Sequence, residues 1–420
     1  MDKIFFHIDV NSAFLSWTAV DRLQHGETVD LRTVPAIIGG DSEQRHGIVL
    51  AKSIPAKRYG IETAEPIVSA RRKCPDLLVL PSDFKLYSSM SHKLFDYLYS
   101  LTSDIEPASI DEGYMDFTPI AHLYESPVAA AGMIRSEVFH RFGFTVNVGI
   151  SDRKVLAKMA SDLEKPDKTH TLFSYEIKDK LWPLPVRDLF LCGRSAAATL
   201  NKLDIKTIGD LARTDLSILT SHLKSHGKTL WEFANGIDDS EVVTEERETK
   251  GIGNSTTCAH DRTDRDEASR VLYSLAESVA DRLHRAGFKT MQVTVEIKYA
   301  NFRSCSHQTG LAFPIETARS VHEAVMPLFD SLWNKEPIRL LGIRATRLLG
   351  ADDPVQLSIF DLPTNTSSEA GDLSDSGSLT PAGETSPATD PKDKERDLKL
   401  ENALREIRGR FGKDSIKRGI

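Results

Sequence analysis

Long apolar runs are missing from this 420-residue sequence, so no segment predicts a helix that crosses a bilayer. The sequence begins with strand-like residues and shows no signal-peptide pattern. Four scattered cysteines, Cys74, Cys192, Cys258 and Cys305, have neither metal-site spacing nor the arrangement of a disulfide framework. These absences argue against membrane-spanning and disulfide-scaffold classes, and we expect a soluble, cytoplasmic protein in a reducing compartment.

The sequence also lacks an excess of positive charge. Its formal net charge is −8 and its pI is about 5.9, whereas nucleic-acid binders usually carry a basic surface. A net charge is only a sum, so a local basic surface remains compatible with it. Hydrophobic residues make up 40% and charged residues 27%, which is ordinary for a globular protein. At this length we expect three or four domains.

Carboxylates stand at the ends of two strand-like runs. Asp111 and Glu112 begin an alternating run, and Asp9 follows an apolar run that starts at residue 3. A buried carboxylate is costly, and two adjacent ones repel each other unless a cation lies between them. If the two strands are neighbours, the three carboxylates predict a site for hard divalent cations, most commonly Mg²⁺ with phosphate oxygens.

Hydrophobic periodicity predicts a mixed α/β first part. The expected strands are 3–9, 35–39, 47–52, 113–118 and 144–150, and the expected helices are 12–24, 84–102, 127–142 and 153–164. The segment from Pro55 to Pro75 is rich in Lys and Arg and is interrupted by Gly60, which predicts a small inserted lobe.

Short helices around glycine turns are predicted between Pro185 and Asp238. The pattern that begins at Gly193 and Arg194 fits a helix–hairpin–helix element, which presents backbone N–H groups to phosphate. A plain helical subdomain fits this segment equally well.

Residues 250–350 predict an α-β-α-β unit. The helices are expected over 266–286 and 316–334, and the strands over 291–299 and 339–347. Its basic residues either follow a nucleic-acid backbone or simply lie on a solvated sheet face; they are Lys298, Arg303, Arg344 and Arg347.

The sequence after residue 362 changes character. Residues 363–393 are rich in Ser, Thr, Pro, Gly, Asp and Glu with few bulky apolar side chains, which predicts a disordered linker. Residues 394–420 regain helical spacing and predict a C-terminal helix with a basic end.

Together and in order, these signatures resemble the Y-family of lesion-bypass DNA polymerases, of the bacterial DNA polymerase IV type. The resemblance covers residues 1–362. It is carried by the runs 7–11, 109–114, 147–151, 164–166 and 253–257, by Lys154, Ala157 and Lys158, and by the Gly193 hairpin. Each signature alone is weak, and their combination is specific.

The resemblance implies an α/β (α+β) multidomain right-hand polymerase. Its parts would be a palm (1–30 and 76–165), fingers (31–75), a helix–hairpin–helix thumb (166–238), a linker (239–249) and a little finger (250–350). We expect a monomer that acts on primer–template DNA and deoxynucleoside triphosphates without a membrane.

The resemblance also implies two Mg²⁺ ions held by Asp9, Asp111 and Glu112, with help from the Val10 carbonyl. Two metals lower the pKa of an attacking 3′ hydroxyl and hold the leaving pyrophosphate. A strand-end cap is the alternative for Asp9 alone.

Two further positions match nucleotide-binding residues of the family. Phe14 stands at the steric gate, where a bulky ring excludes a ribose 2′ hydroxyl that binding alone would discriminate poorly; the alternative is a core residue of helix 12–24. Lys165, before Pro166, matches the lysine that binds the triphosphate.

The fingers depart from the family pattern Tyr-x-Ala-Arg. Ile54 cannot donate a hydrogen bond, and Lys57 offers one ammonium in place of a bidentate guanidinium. The Lys at this place and the Asp-Val-Asn start are similar to polymerase V catalytic subunits. We expect Lys57 and Arg58 to share the triphosphate.

Within the region 351–362, a short run resembles the peptide that docks on the bacterial sliding clamp: Gln356, Leu357, Ser358, Ile359 and Phe360. A Gln at a groove rim with Leu and Phe anchors suits such docking. An ordinary apolar tail is the alternative.

The sequence therefore predicts a low-fidelity, Mg²⁺-dependent DNA polymerase that performs translesion synthesis. A polymerase V-type catalytic subunit that depends on accessory proteins is the nearest alternative. A nucleotidyl cyclase would need neither the Gly193 hairpin nor the clamp peptide. A non-catalytic, clamp-tethered DNA-binding protein is favoured only by Ile54 and Lys57.

Overall fold

The computed structural model describes residues 3–40, 47–245, 248–350, 353, 403, 406, 407 and 410. Two compact units divide the chain, Met1–Glu246 and Arg247–Ile420. The predicted clamp peptide 356–360 and the predicted linker 363–393 lie outside the described residues. Of the predicted C-terminal helix, the described positions Ala403, Glu406, Ile407 and Arg410 are helical.

The first unit is mixed α/β, as the sequence predicts. Its strands are β1 (Phe5–Val10), β2 (Ala36–Gly39), β3 (Val49–Lys52), β4 (Leu78–Pro81), β5 (Ile105–Pro107), β6 (Glu112–Asp116), β7 (Val146–Ser151) and β8 (Thr169–Thr171). Its α-helices are α1 (Ala13–Gln24), α2 (Ile54–Arg58), α3 (Ile67–Lys73), α4 (Phe84–Tyr99), α5 (Pro127–Phe142), α6 (Lys154–Asp162), α7 (Arg194–Lys202), α8 (Ile208–Arg213), α9 (Leu216–Leu223) and α10 (Ser225–Ala234).

A five-stranded sheet in the order β5-β6-β1-β7-β8 forms the centre of this unit. Its pairs are antiparallel except β7 with β8. On β1, Phe6, Ile8 and Val10 face a core that includes residues of α1, α4 and α5. The opposite face is covered by α6, which packs against β1 and β7. Both faces of β1 are thus covered, one by the apolar core and the other, which carries His7 and Asp9, by α6.

Two smaller cores complete the first unit. The three-stranded sheet β3-β2-β4 packs with α2 and α3 around Ile37, Val49 and Ile67. Helices α7 to α10 pack with residues of α6, such as Leu156, around a core that includes Leu200 and Leu230.

The second unit contains β9 (Gly251–Arg262), α11 (Arg265–Arg285), β10 (Phe288–Tyr299), β11 (Ser304–Ile315), α12 (Ala318–Leu332) and β12 (Ile338–Gly350). Its antiparallel sheet has the order β11-β10-β12-β9, and both helices pack on one face of it. Nε and Nη2 of Arg265 each donate a hydrogen bond of 2.7 Å to a different carboxylate oxygen of Asp330, which joins α11 to α12.

The predicted α-β-α-β order of the second unit is wrong, because β9 and β11 add two strands. Both are edge strands with a polar outer side, and β9 contains Gly251 and Gly253, so neither produces an apolar alternation. Among the helices that the structure describes, none combines the length and apolar character needed to cross a membrane.

Candidate active site

The central strand β1 brings two of the three predicted carboxylates together, those of Asp9 and Glu112. Asp9 is the register partner of Glu112 on β6 and of Asn147 on β7. Directly paired residues of antiparallel strands share a face of the sheet, and His7, two residues before Asp9, lies on the same face. This is the face that α6 covers, so the site lies between the sheet and one helix.

Gly149 allows α6 to lie against β7. A Cβ at this position would be 2.0 Å from the Ala157 carbonyl oxygen and 2.4 Å from the Ser161 backbone nitrogen. Because both neighbours are backbone atoms of α6, any larger residue would push the helix away. The close contact carries the side chain of Lys158 over the carboxylates.

Two ammonium groups lie against these carboxylates. Lys158 Nζ is 2.6 Å from Glu112 Oε2 and 3.5 Å from Asp9 Oδ2. Lys165 Nζ is 2.8 Å from Asp9 Oδ1 and 2.8 Å from Asp162 Oδ1. Lys158 also lies 3.4 Å from Asp162 Oδ2. The carboxylates are therefore balanced by lysines supplied by α6 and the segment after it.

Burial and these contacts shift the titration of the two strand carboxylates in opposite directions. The pKa of Glu112 lies well below its usual range, because His7 and Lys158 lie against it and outweigh the effect of burial. Burial raises the pKa of Asp9, and this effect exceeds the opposing influence of Lys165. Burial alone would lower the pKa of Lys158, but the neighbouring carboxylates raise it. Glu112 and Lys158 therefore form a charged pair.

His7 lies beneath this pair and is completely buried. Its Nδ1 is 2.8 Å from Ser161 Oγ, and Ser161 donates its own hydroxyl hydrogen to the Lys158 carbonyl oxygen at 2.8 Å. Ser161 Oγ is then the acceptor of the Nδ1 hydrogen. Nε2 lies 3.4 Å from Glu112 Oε2, and burial lowers the pKa of the ring.

In the described part of the chain, one group of possible metal-ligand atoms comes from His7, Asp9 and Glu112, all within 4.8 Å of one another. Asp111 is not a member: its carboxylate accepts a hydrogen bond from Ser109 Oγ at 2.7 Å. Its carbonyl oxygen accepts the Val10 N–H at 3.0 Å, which keeps the residue beside the end of β1. The sequence assigned no site role to His7 or Lys158, although strand alternation with Asp9 could have pointed to His7.

Phe14 is half-buried on α1, near the end of β1. Its ring stacks on Tyr87 with centroids 4.4 Å apart and planes 6° apart, and Phe84 meets it edge-on at 6.0 Å. Because Tyr87 is fully buried, the Phe14 ring has a fixed support on one side.

The predicted fingers residues lie on α2. Lys57 and Arg58 are exposed, and Ile54 at the start of the helix is 45% exposed. Ser53 caps the helix, since its Oγ accepts the Ala56 N–H at 3.1 Å. These side chains are thus presented to solvent from a short, capped helix.

Gly193 and Arg194 mark the beginning of α7. Gly193 is the N-cap residue, and a Cβ there would meet no atom within 4 Å. Arg194 is 90% exposed, with Nη2 3.8 Å from Glu62 Oε2. Both residues are accessible at the helix start.

In the second unit, Lys298 and Arg344 lie on the open face of the four-stranded sheet, opposite the helices. They alternate with buried residues of β10 and β12 such as Ile297 and Ala345. This face contains a groove of about 530 Å³ lined partly by Arg344 and Glu296.

Of the four predicted basic residues, only Arg344 lines this groove; Lys298, Arg303 and Arg347 do not. Arg303 is 3.0 Å from Glu336 and lies over the Tyr299 ring at 5.0 Å. Arg347 is exposed, at a position with φ of 48°.

The sequence matches two family models, the impB/mucB/samB family over residues 8–162 and the impB/mucB/samB family C-terminal domain over residues 249–359. The fold is similar to a solved Y-family DNA polymerase chimera of Dbh and Dpo4, with a TM-score of 0.72 and 21% identity over 83% of this chain and 99% of that chain. This match shows the fold of a Y-family polymerase. Together with a relative that is 47% identical to this chain, it shows the class: the protein is a DNA-directed DNA polymerase.

Its relatives narrow the class. DNA polymerase IV of Clostridium acetobutylicum is 47% identical over 88% of this chain and 93% of the relative. DNA polymerase IV of Acetivibrio thermocellus is 32% identical over 100% of this chain and 98% of the relative. The chain therefore belongs to the Y-family of DNA polymerases and is of the DNA polymerase IV type. The resemblance and the right-hand fold predicted from the sequence are confirmed, and the polymerase is favoured over the alternatives.

Proposed function

We propose that the chain extends primers across damaged template bases with low fidelity, by a nucleotidyl transfer that depends on two Mg²⁺ ions. The direct pairing of Asp9 with Glu112 carries the proposal, because it sets two carboxylates side by side. Lys158 and Lys165 already supply positive charge to these oxygens. Carboxylate oxygens are the donors that Mg²⁺ prefers, so this residue set fits a divalent cation.

The residues that would hold the ions are Asp9, Asp111 and Glu112, together with the Val10 carbonyl. The backbone hydrogen bond between Val10 and Asp111 supports this set, since it joins the two strand ends. When bound, the ions would lower the pKa of the primer 3′ hydroxyl and neutralise charge on the leaving pyrophosphate. The chain itself supplies oriented carboxylates from a sheet buried on both faces.

The nucleotide is proposed to contact Phe14, Lys57, Arg58 and Lys165. Lys165 is close enough to Asp9 to exchange this partner for a triphosphate oxygen. The supported ring of Phe14 suits a gate that must resist displacement by a ribose 2′ hydroxyl. The exposure of Lys57 and Arg58 supports a role in gripping phosphate.

We infer the following domains: palm 1–30 and 76–165, fingers 31–75, thumb 166–238, linker 239–249 and little finger 250–350. Separate cores in the three-stranded sheet and in the second unit support the fingers and the little finger. The core of α7–α10 also includes residues of α6, which supports a thumb that packs on the palm. The change of compact unit at residue 246 lies within the inferred linker.

The DNA backbone is proposed to contact exposed basic residues and the backbone of the thumb. The open groove beside Arg344 and the accessible start of α7 support this assignment. The proposed contacts are Gly193, Arg194, Lys298, Arg303, Arg344 and Arg347.

The clamp peptide, Gln356 to Phe360, is proposed to tether the enzyme to the sliding clamp and so raise its concentration at the primer end. Replacement of Gln356 and Phe360 by Ala should abolish binding to purified clamp. Unchanged clamp binding would remove this assignment.

Primer extension with the purified chain, Mg²⁺ and single deoxynucleotides tests the proposed activity. The templates are an undamaged strand and a strand that carries a bulky guanine adduct. We expect incorporation on both. DNA binding without incorporation on either template would instead indicate a polymerase that needs accessory proteins.

A further inference from the structure

Asp162, at the end of α6, contacts both lysines of the site without joining the carboxylate group beneath them. Its Oδ1 is 2.8 Å from Lys165 Nζ and its Oδ2 is 3.4 Å from Lys158 Nζ. Its side chain is 43% exposed, whereas that of Asp9 is 15% exposed. Asp162 is therefore the carboxylate of this network that is most open to water.

Both lysines occupy oxygens that the proposed metal site needs. Lys158 binds Glu112 at 2.6 Å, and Lys165 binds Asp9 at 2.8 Å. A divalent cation on these oxygens would repel an ammonium group a few ångströms away, because the site is largely shielded from water. Metal binding at Asp9 and Glu112 thus requires both ammonium groups to find another acceptor.

Lys158 cannot simply move into solvent, since its side chain is only 12% exposed. Asp162 is four residues further along the same helix, so the helix keeps the two side chains adjacent. Lys165 follows three residues later and already holds Asp162. Among the described residues, Asp162 is an acceptor that lies within 3.4 Å of both lysines and is not itself a proposed metal ligand.

We propose that Asp162 is a positioning residue, whose carboxylate holds the ammonium groups of Lys158 and Lys165 when divalent cations bind Asp9 and Glu112. The inference rests on the proposed metal site. Helix α6 would then have two roles. Its Lys158 ammonium group balances the carboxylates when no metal is bound, and its Asp162 carboxylate holds that ammonium group when metal binds. Lys165 would thereby be released from Asp9 while remaining near the nucleotide.

Mn²⁺ binding to the full chain, followed by the electron paramagnetic resonance signal of free Mn²⁺, tests the proposal without turnover. Asp162→Asn should weaken binding by about tenfold, the usual effect of losing one charge-assisted hydrogen bond. In a Lys158→Met/Lys165→Met background the same substitution should have less than about a twofold effect. Asp162→Glu should restore most of the affinity.

Glu164→Gln is the matched control. It removes the same charge two residues away, from a side chain that is 64% exposed and pairs with Lys168 at 3.8 Å, so Mn²⁺ affinity should stay within about twofold of the wild type. An equal effect of Asp162→Asn with and without the lysines would overturn the proposal, because Asp162 would then act only as a nearby charge.

Lys158→Met provides an independent measurement that does not depend on the folding of any Asp162 variant. Removal of the competing ammonium should tighten Mn²⁺ binding by several-fold, and unchanged or weaker binding would contradict the proposal. Asp9→Asn distinguishes a failure of the proposed metal site from a failure of the proposed role of Asp162. If it does not weaken Mn²⁺ binding, the proposed metal site itself is wrong; if it does, a failed lysine coupling overturns only the role of Asp162.

Discussion

At the scale of single residues, the polymerase depends on how a few charged side chains are held. Glu112 is held by Lys158 from α6 and faces buried His7 at 3.4 Å. Asp111 is held differently, by Ser109 and by the backbone of Val10. The side chains of the two adjacent acids therefore have different partners.

Asp111→Ala or Glu112→Ala should lower nucleotide incorporation by at least about a thousandfold, because each removes a proposed metal ligand. Affinity for primer–template DNA should remain near that of the wild type. Single-turnover incorporation and fluorescence anisotropy with labelled DNA measure the two effects. Asp96→Ala, on the exposed side of α4, is the control. Substantial incorporation by either variant would refute the two-metal assignment.

Phe14→Ala should reduce discrimination against ribonucleotides by about a hundredfold, because the excluded volume at the sugar disappears. Incorporation of matched deoxy- and ribonucleotides gives the ratio directly. Phe84→Ala tests the neighbouring ring, which is 61% exposed and contacts Phe14 only edge-on, and it should preserve most of the selectivity. Unchanged selectivity of Phe14→Ala would place the gate elsewhere.

At the scale of elements, the contact between α6 and the central sheet decides whether the lysines reach the carboxylates. Asn147 reinforces this contact, since its side-chain nitrogen donates to the carbonyl oxygens of Ser161 and Glu164 at 2.9 and 2.7 Å. Gly149 removes the obstacle that any side chain would present. Hydrogen bonds from Asn147 therefore hold α6 against the sheet, and the missing side chain of Gly149 leaves room for the helix.

Gly149→Ala should destabilise the protein by about 2–3 kcal/mol, because the new methyl group would overlap backbone atoms of α6. Urea unfolding monitored by circular dichroism measures the change. Gly132→Ala is the matched control, since it lies within α5 and its Cβ would meet no atom within 4 Å. That substitution should stabilise by about 0.5–1 kcal/mol. Similar effects of the two substitutions would contradict the close helix contact.

At the scale of the whole molecule, a net charge of −8 has to coexist with binding to a polyanion. The second unit presents Lys298 and Arg344 on the face of its sheet opposite α11 and α12. Glu296 lies in the same groove. Basic side chains can thus lie on one face of a sheet while the overall composition stays acidic, and the net charge by itself decides nothing about nucleic acid.

The double substitution Lys298→Ala/Arg344→Ala should weaken DNA binding and reduce the slope of log K against log salt by about 1.8, the value for two phosphate contacts with duplex DNA. Titrations at several salt concentrations measure the slope. Arg270→Ala/Arg285→Ala removes equal charge from exposed positions of α11 and should leave the slope nearly unchanged. Equal slopes for both double variants would argue against a specific role of the open face.

The sequence by itself determined the identity of this protein, because separate runs such as those around Asp9 and Asp111 appear in the order typical of one family. It also determined most central helices and strands, since buried elements leave clear apolar periodicity. The edge strands β9 and β11 were missed, because they expose one side and carry polar residues and glycine. Apolar patterns along the sequence reflect which side chains are buried, and an edge strand buries few of its side chains.

Only the tertiary structure decided which side chains meet. The register of β1 with β6 joins Asp9 to Glu112, and the packing of α6 on the same face adds His7, Lys158 and Asp162. These residues are separated by up to 155 positions in the sequence, counted from His7 to Asp162. Spacing along the chain describes a single helix or strand, whereas the contacts of this site depend on strand pairing and on the space that Gly149 leaves for a helix.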